Sequence, residues 1–262
     1  MKLDEKTISQ LAERLEAAEL NARDVTKITD DHPTMDWDDA YRIQDAIRTS
    51  KESRGQKTAG FKCGLTSHAK MKQMGVDVPV FGFISAYMAR PDGGEIKMSE
   101  LIHPKVEAEI CMVTKTALRG PGCHVASVMA AIDFVVPGVE IIDSRFRDFK
   151  FDLLSVVADN TSASRFVIGG RSRNLDDLDL RTLGVVLEKN GEIVAMAAGA
   201  AVMGHPAAAV AALVNHLGAQ GRELPAGSFV MSGGVTEAIA VKAGDSIAVR
   251  FQDLGTVSMR FV

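Results

Sequence analysis

The stretch 103–113, His-Pro-Lys-Val-Glu-Ala-Glu-Ile-Cys-Met-Val, constrains this chain most. Val106, Ala108, Ile110 and Met112 alternate with Glu107, Glu109 and Cys111. A period of two reads as a β-strand with one apolar face. The same pleat sends Glu107 and Glu109 to one side, with Cα atoms roughly 6.5–7 Å apart. Two carboxylates on a half-buried face repel each other unless something positive sits between them. A second apolar run, Val135-Val-Pro-Gly-Val-Glu-Ile-Ile142, carries a single acid, Glu140. Burying that acid unpaired is costly, so it needs a partner. Three carboxylates converging from two strands make an oxygen-rich site for a hard divalent cation, Mg²⁺ or Mn²⁺. The competing reading of Glu-x-Glu is a solvated strand face.

The 262 residues suffice for one large domain, or one domain with an appendage. A net charge of −4 offers no basic surface, which argues against nucleic acid as a partner. With 5% aromatic residues, stacking platforms for bases are not expected either. There is no run of about eighteen apolar residues, so no membrane span is expected, and the polar start 1–6 leads into no signal-peptide core. Cys63, Cys111 and Cys123 are odd in number and lack C-x-x-C spacing. They read as reduced thiols of a cytoplasmic protein rather than a disulfide frame or a zinc site.

Ile8, Leu11, Leu15 and Leu20 mark an amphipathic helix over residues 3–21, and Ala40, Ile43 and Ile47 mark another over 36–53, ended by Gly55. The polar stretch 21–33 between them reads as irregular. We divide the chain into a helical cap, 1–57, and a mixed β body, 58–262, an α+β class. Residues 59–67 read as a short strand ending in glycine and hydroxyl residues, and 67–74 as a short helix. The stretch 76–87, with Pro79 and Gly82, reads as a loop able to lie over a pocket. Residues 121–131 read as helix, and 153–157 fit helix or strand. Asn190-Gly191 between alternating runs calls for a tight hairpin. His205-Pro206 opens an Ala-rich helix running to about Gly218, and His205 has a structural role there. Phe229–Ser232 is a strand ending in Gly233-Gly234, and Asp253-Leu-Gly255 joins a final hairpin.

Lys62-x-Gly64-Leu65-Thr66, Pro104-Lys-Val-Glu-Ala-Glu109, Val139-Glu-Ile141, Asp143-Ser-Arg145, Val157-Ala-Asp-Asn160, Gly204-His-Pro206 and Gly233-Gly234 stand in order along the chain. As an ordered set they resemble the hydratase/decarboxylase family of the aromatic meta-cleavage pathway, within the fumarylacetoacetate hydrolase superfamily. The resemblance runs from about residue 36 to the C-terminus. Gly60–Gly75 and Lys150–Val157 look like its decarboxylase branch. The hydratase branch commonly has an Asp before the Phe-Gly that is Phe81-Gly82 here; this chain has Val80.

The resemblance implies a mixed β roll preceded by helices. It implies Mg²⁺ or Mn²⁺ held by Glu107, Glu109 and Glu140, with Lys62 as the catalytic lysine. The implied reaction is decarboxylation of a dicarboxylic keto acid, 2-oxohex-3-enedioate, to 2-hydroxypenta-2,4-dienoate. The alternatives are hydration of that dienoate, or a non-catalytic binding subunit. A homo-oligomer, and a complex with the pathway's hydratase, are implied as well. An apolar wall around the departing carboxylate favours neutral CO₂, and Leu65, Val78, Val80 and Phe81 are candidates for it. Ser162 and Ser164 are candidate contacts to a substrate carboxylate, and Ser232 and Gly233 offer hydroxyl or backbone contacts. Arg145 is either an ion-pair partner or a substrate contact. Asp159-Asn160 either supports the site by hydrogen bonds or forms a turn. Cys63 has no evident His partner and reads as packing rather than nucleophile.

Overall fold

Asp4 opens the first helix by accepting the Thr7 N–H at 2.8 Å, and Asp36 opens another by accepting the Asp39 N–H at 2.9 Å. The computed structural model describes residues 2–67, 71, 72, 76 and 79–262. The helix expected over 67–74 lies largely, and Val78 wholly, outside the described residues. Helices α1 (Glu5–Leu20) and α3 (Trp37–Ser53) flank a one-turn α2 (Ile28–Asp31), inside the stretch read as irregular. Their apolar stripes bury Ile8, Leu11, Leu15, Ile43 and Ile47 in one cluster with Val80, Phe83, Phe146 and Val157 of the body. Each such side chain contributes roughly 1.5–3 kcal/mol by leaving water.

The body begins with β1 (Thr58–Gly64), β2 (Val80–Ser85), β3 (Ala89–Arg90) and β4 (Gly94–Ile96). The long β5 (Lys105–Thr114), α4 (Val125–Ala131), β6 (Ile132–Ile142), α5 (Leu153–Ala158) and β7 (Ala163–Ile168) follow. Then come β8 (Gly184–Lys189), β9 (Glu192–Ala198), α6 (Pro206–Ala219), β10 (Phe229–Gly234), β11 (Ile239–Ala240), β12 (Ser246–Phe251) and β13 (Gly255–Phe261). One mixed sheet runs β2-β1-β10-β5-β6-β7-β3, with β11 also on β5; the other runs β4-β13-β12-β8-β9. The main core joins the two sheets and α6. This is the α+β arrangement with N-terminal helices that the sequence leads one to expect.

Three local outcomes refine that reading. The expected loop 76–87 contains a strand, β2, fully buried along its length. Gly82 marks a close approach rather than a turn: a Cβ there would meet Thr161 Oγ1 at 2.6 Å and Asn160 Oδ1 at 2.8 Å. Residues 153–158 resolve as helix, capped by the Asp152 carboxylate on the Ser155 N–H at 2.9 Å. By length and composition alone, the stretch Gly199–Ala219 is long and apolar enough to cross a membrane. Its helix instead buries Ala207, Val210, Val214 and Leu217 in the core. Asn190 and Gly191 take φ of 57° and 83°, the left-handed pair a two-residue hairpin needs.

Candidate metal centre and its cavity

β5 and β6 pair antiparallel with Glu107 opposite Glu140 and Glu109 opposite Gly138. The pleat sends Glu107 and Glu109 to one face, and the register brings Glu140 to the same place. Carboxylate oxygens of the three lie within 4.8 Å of one another. Glu109 is 0% and Glu140 2% exposed, so this is not a solvated strand face.

Lys62 reaches the cluster from β1. It is 2% exposed, and its Nζ lies 2.6 Å from Glu140 Oε1 and donates to the Thr161 carbonyl at 2.9 Å. Glu109 Oε2 accepts the Gly233 N–H at 2.7 Å. That donor is aimed by a bulge: β10 shifts register against β5 between Met231 and Gly234. Gly233 holds φ at +105°, and a Cβ there would strike Thr66 Oγ1 at 2.1 Å. Glycine is therefore required, and its backbone serves Glu109.

Lys62 offsets one of the two fully buried carboxylates. Burial, with the charge of Glu140 beside it, pushes Glu109 well above the usual carboxylate range. Burial also raises Glu140, against the pull of Lys62. Glu109 Oε1 and Glu140 Oε2 are buried without a hydrogen-bond partner among the described residues. Such orphaned oxygens are costly in an interior. A cluster of hard carboxylate oxygens with free lone pairs fits a dication such as Mg²⁺.

A cavity of about 480 Å³ opens over this floor. Its lining includes Lys62, Leu65, Val80, Lys105, Glu107 and Ser162, with Phe149, Phe151 and Val156 as further apolar wall. Leu65, Val80 and Ser162, three of the expected substrate contacts, line this cavity. Asn160, Thr161 and Ser162 all hold left-handed backbone, with φ of 48°, 51° and 59°. Such residues cost of order 1–3 kcal/mol each and persist only where their surroundings over-determine them. Here Asn160 is pinned by its side chain, which accepts the Phe83 N–H and donates to the Phe83 carbonyl, both at 2.9 Å. The turn presents the Thr161 carbonyl to Lys62, so Asp159-Asn160 is a turn and a support for the site at once.

Four expected substrate contacts sit elsewhere. Phe81 points away from Val80, as strand alternation demands, and packs on His216 at 4.9 Å between ring centroids. The Arg145 guanidinium is buried in an ion pair with Asp159, and donates to the Asp143 carbonyl at 2.7 Å and the Ala163 carbonyl at 2.9 Å. A buried Asp159 requires that partner, and nothing of Arg145 lines the cavity. The Ser232 hydroxyl donates to the Ile110 carbonyl at 2.7 Å, a backbone group at the register shift of the bulge. Ser164 is buried beside Arg165, whose guanidinium lies 3.4 Å from its Oγ. Cys63 is buried, and burial pushes its thiol well up, so it is packing rather than a nucleophile. His205 caps α6 by accepting the Ala207 N–H at 3.0 Å.

Sequence reasoning passed over Lys105, Phe149, Phe151 and Thr161. A signal existed for Lys105, which precedes Glu107 by two on the same alternating strand. None existed for Thr161, whose contribution is a carbonyl.

Residues 57–262 match the family model described as fumarylacetoacetate (FAA) hydrolase C-terminal. The chain is 58% identical over 260 residues, 99% of its length and 98% of the relative's, to 4-oxalocrotonate decarboxylase of Pseudomonas putida. It is 37% identical over 260 residues, 98% of each chain, to 2-hydroxyhexa-2,4-dienoate hydratase of Comamonas testosteroni. The solved structure of 4-oxalocrotonate decarboxylase from Pseudomonas putida G7, complexed with magnesium and adipate, matches with a TM-score of 0.98 at 56% identity, over 99% of each chain.

Proposed function

This chain belongs to the fumarylacetoacetate hydrolase family, and on that premise we propose that it is a divalent-metal-dependent carboxy-lyase. Its substrate in this reading is 4-oxalocrotonate (2-oxohex-3-enedioate), and its products are 2-hydroxypenta-2,4-dienoate and CO₂, in the meta-cleavage breakdown of aromatic compounds. Glu107, Glu109 and Glu140 would hold the cation, Mg²⁺ or the ligand-equivalent Mn²⁺. When bound, the cation supplies Lewis-acid stabilisation to negative charge gathering on the substrate's 2-oxygen.

The chain's own residues do the rest. Two of the three Lys62 donors are committed to Glu140 and Thr161, which aims the ammonium and leaves one N–H for a substrate oxygen. As the bond to the departing carboxylate breaks, its electrons pass through the 3,4 double bond to the 2-oxygen. Lys62 is placed to steady that oxygen and to carry its proton. Leu65, Val80 and Val156 form an apolar wall, a setting that disfavours the charged carboxylate and suits neutral CO₂.

The single observation that carries decarboxylation over hydration is Val80. An apolar side chain lines the cavity where the hydratase branch commonly places an acid to serve its water chemistry. The buried thiols suit a reducing, cytoplasmic setting. Self-association and a complex with the hydratase that consumes the product belong to the same reading.

The test is direct. Purified protein with Mg²⁺ is given 4-oxalocrotonate and, separately, 2-hydroxypenta-2,4-dienoate. We expect CO₂ from the first and no hydration of the second; water addition without CO₂ release would overturn the reading.

A further inference from the structure

Among the described residues two lysines line the cavity, and only one of them is held by a carboxylate. Lys62 is fixed by Glu140 and Thr161. Lys105 stands on the same face of β5 as Glu107, two residues nearer the strand's start. Burial falls from Glu109, fully enclosed, to Glu107 and Lys105, both half-buried, which puts Lys105 toward the cavity mouth. Its ammonium lies over the Phe149 ring, 3.9 Å from the centroid. Among the described residues no carboxylate lies within ion-pair distance of it.

The aromatic seat is itself held. Phe149 packs against His103 and Phe151, with centroids 5.4 and 5.7 Å apart. Asp148 and Phe149 both take left-handed backbone, with φ of 57° and 58°. A cation on a ring face has part of its hydration replaced by the ring quadrupole. It loses less water when an anion arrives than a free lysine would.

We propose that Lys105 is a specificity-determining residue that recognises the second carboxylate of the substrate. The inference rests on the decarboxylase reading above. A 2-keto dicarboxylate brings two negative ends into this cavity, and its decarboxylated product brings one. With the keto-acid end at the acidic cluster, the far carboxylate meets Lys105 on its way to the apolar wall. The product lacks that group and gains nothing from the lysine. Lys105 thereby favours substrate over product and lets the product go. The contact acts in binding rather than in bond cleavage, because a tight ion pair on the leaving carboxylate would oppose its loss as CO₂. Its effect belongs in KM and in ligand selectivity.

The experiment compares adipate, with two carboxylates, and hexanoate, with one, by calorimetric titration of the full chain in Mg²⁺. The wild type is expected to bind adipate more tightly than hexanoate. Lys105→Met, which keeps the stem and the contact with Phe149, is expected to cut the adipate-to-hexanoate preference by roughly three- to tenfold, and Lys105→Arg to restore most of it. A preference unchanged in Lys105→Met, or both ligands weakened equally, would overturn the proposal. The outcomes separate the two readings. Lost selectivity in a protein whose wild type releases no CO₂ upholds Lys105 and sinks the decarboxylase. CO₂ release with intact selectivity in Lys105→Met does the reverse.

Discussion

At the scale of single residues, the site is a balance among buried charges. Glu109 and Glu140 are raised in the folded chain by burial first. A group whose folded pKa exceeds its unfolded value contributes stability below the unfolded pKa and loses it as pH rises through the folded one. Without a cation, this pair therefore weakens the fold as pH climbs above the ordinary carboxylate range. A dication replaces the proton and reverses the sign. Thermal melts from about pH 5 to pH 8 should show a Mg²⁺-induced rise in Tm that grows with pH; a rise independent of pH would count against the assignment. Lys62→Met removes the aimed ammonium, and turnover is expected to fall roughly 10²–10⁴-fold, with Mg²⁺ binding retained by titration. The three acids were legible in the sequence because alternation and an acid in an apolar run are local signals. The fate of Arg145 was not, since Asp159 decides it through a contact that spacing does not encode.

At the scale of elements, β2 shows how a strand is made by what it meets. Pro79 and Gly82 carry loop-like local chemistry, yet Val80–Ser85 pairs along its length with β1. On its open edge Gln44 donates to the Phe81 carbonyl, and the Asn160 side chain bonds both backbone groups of Phe83. Asn160 also opens the left-handed turn that offers the Thr161 carbonyl to Lys62. Asn160→Ala is expected to cost roughly 2–3 kcal/mol, because it strands two buried backbone groups and favours leaving the left-handed region. Denaturant unfolding measures that loss; a cost within about 0.5 kcal/mol, the range of an ordinary surface substitution, would show that the turn is held by something else. The strand, its edge bond and the turn belong to segments about eighty residues apart, so no local pattern could announce them. The Asn190-Gly191 hairpin was legible for the opposite reason, since two adjacent residues carry its whole requirement.

At the scale of the whole molecule, the N-terminal helices are bound to the body by charge as well as by apolar packing. Lys51, buried on α3, lies 3.3 Å from Glu16 and 2.8 Å from Glu19 of α1, and donates to the Tyr87 hydroxyl at 2.9 Å. Gln44 of α3 donates to the Phe81 carbonyl at 2.9 Å and the Val157 carbonyl at 2.8 Å, fastening the helix to β2 and α5. Lys51→Met leaves Glu19 buried without its cation, and should destabilise the chain by roughly 3–5 kcal/mol. If the melt stays single and cooperative, helices and body unfold together; two separate transitions would show a cap that folds by itself. By itself the sequence determined what repeats at short range: the amphipathic helices, the acid-bearing strands, the hairpins and the α+β class, since pleat and helical turn are properties of neighbouring residues. Only the tertiary structure decided which acids share a point, which lysine faces them and which wall encloses them. Those are matters of register and of contacts between distant segments, and their free energy is realised only once the chain has closed on itself.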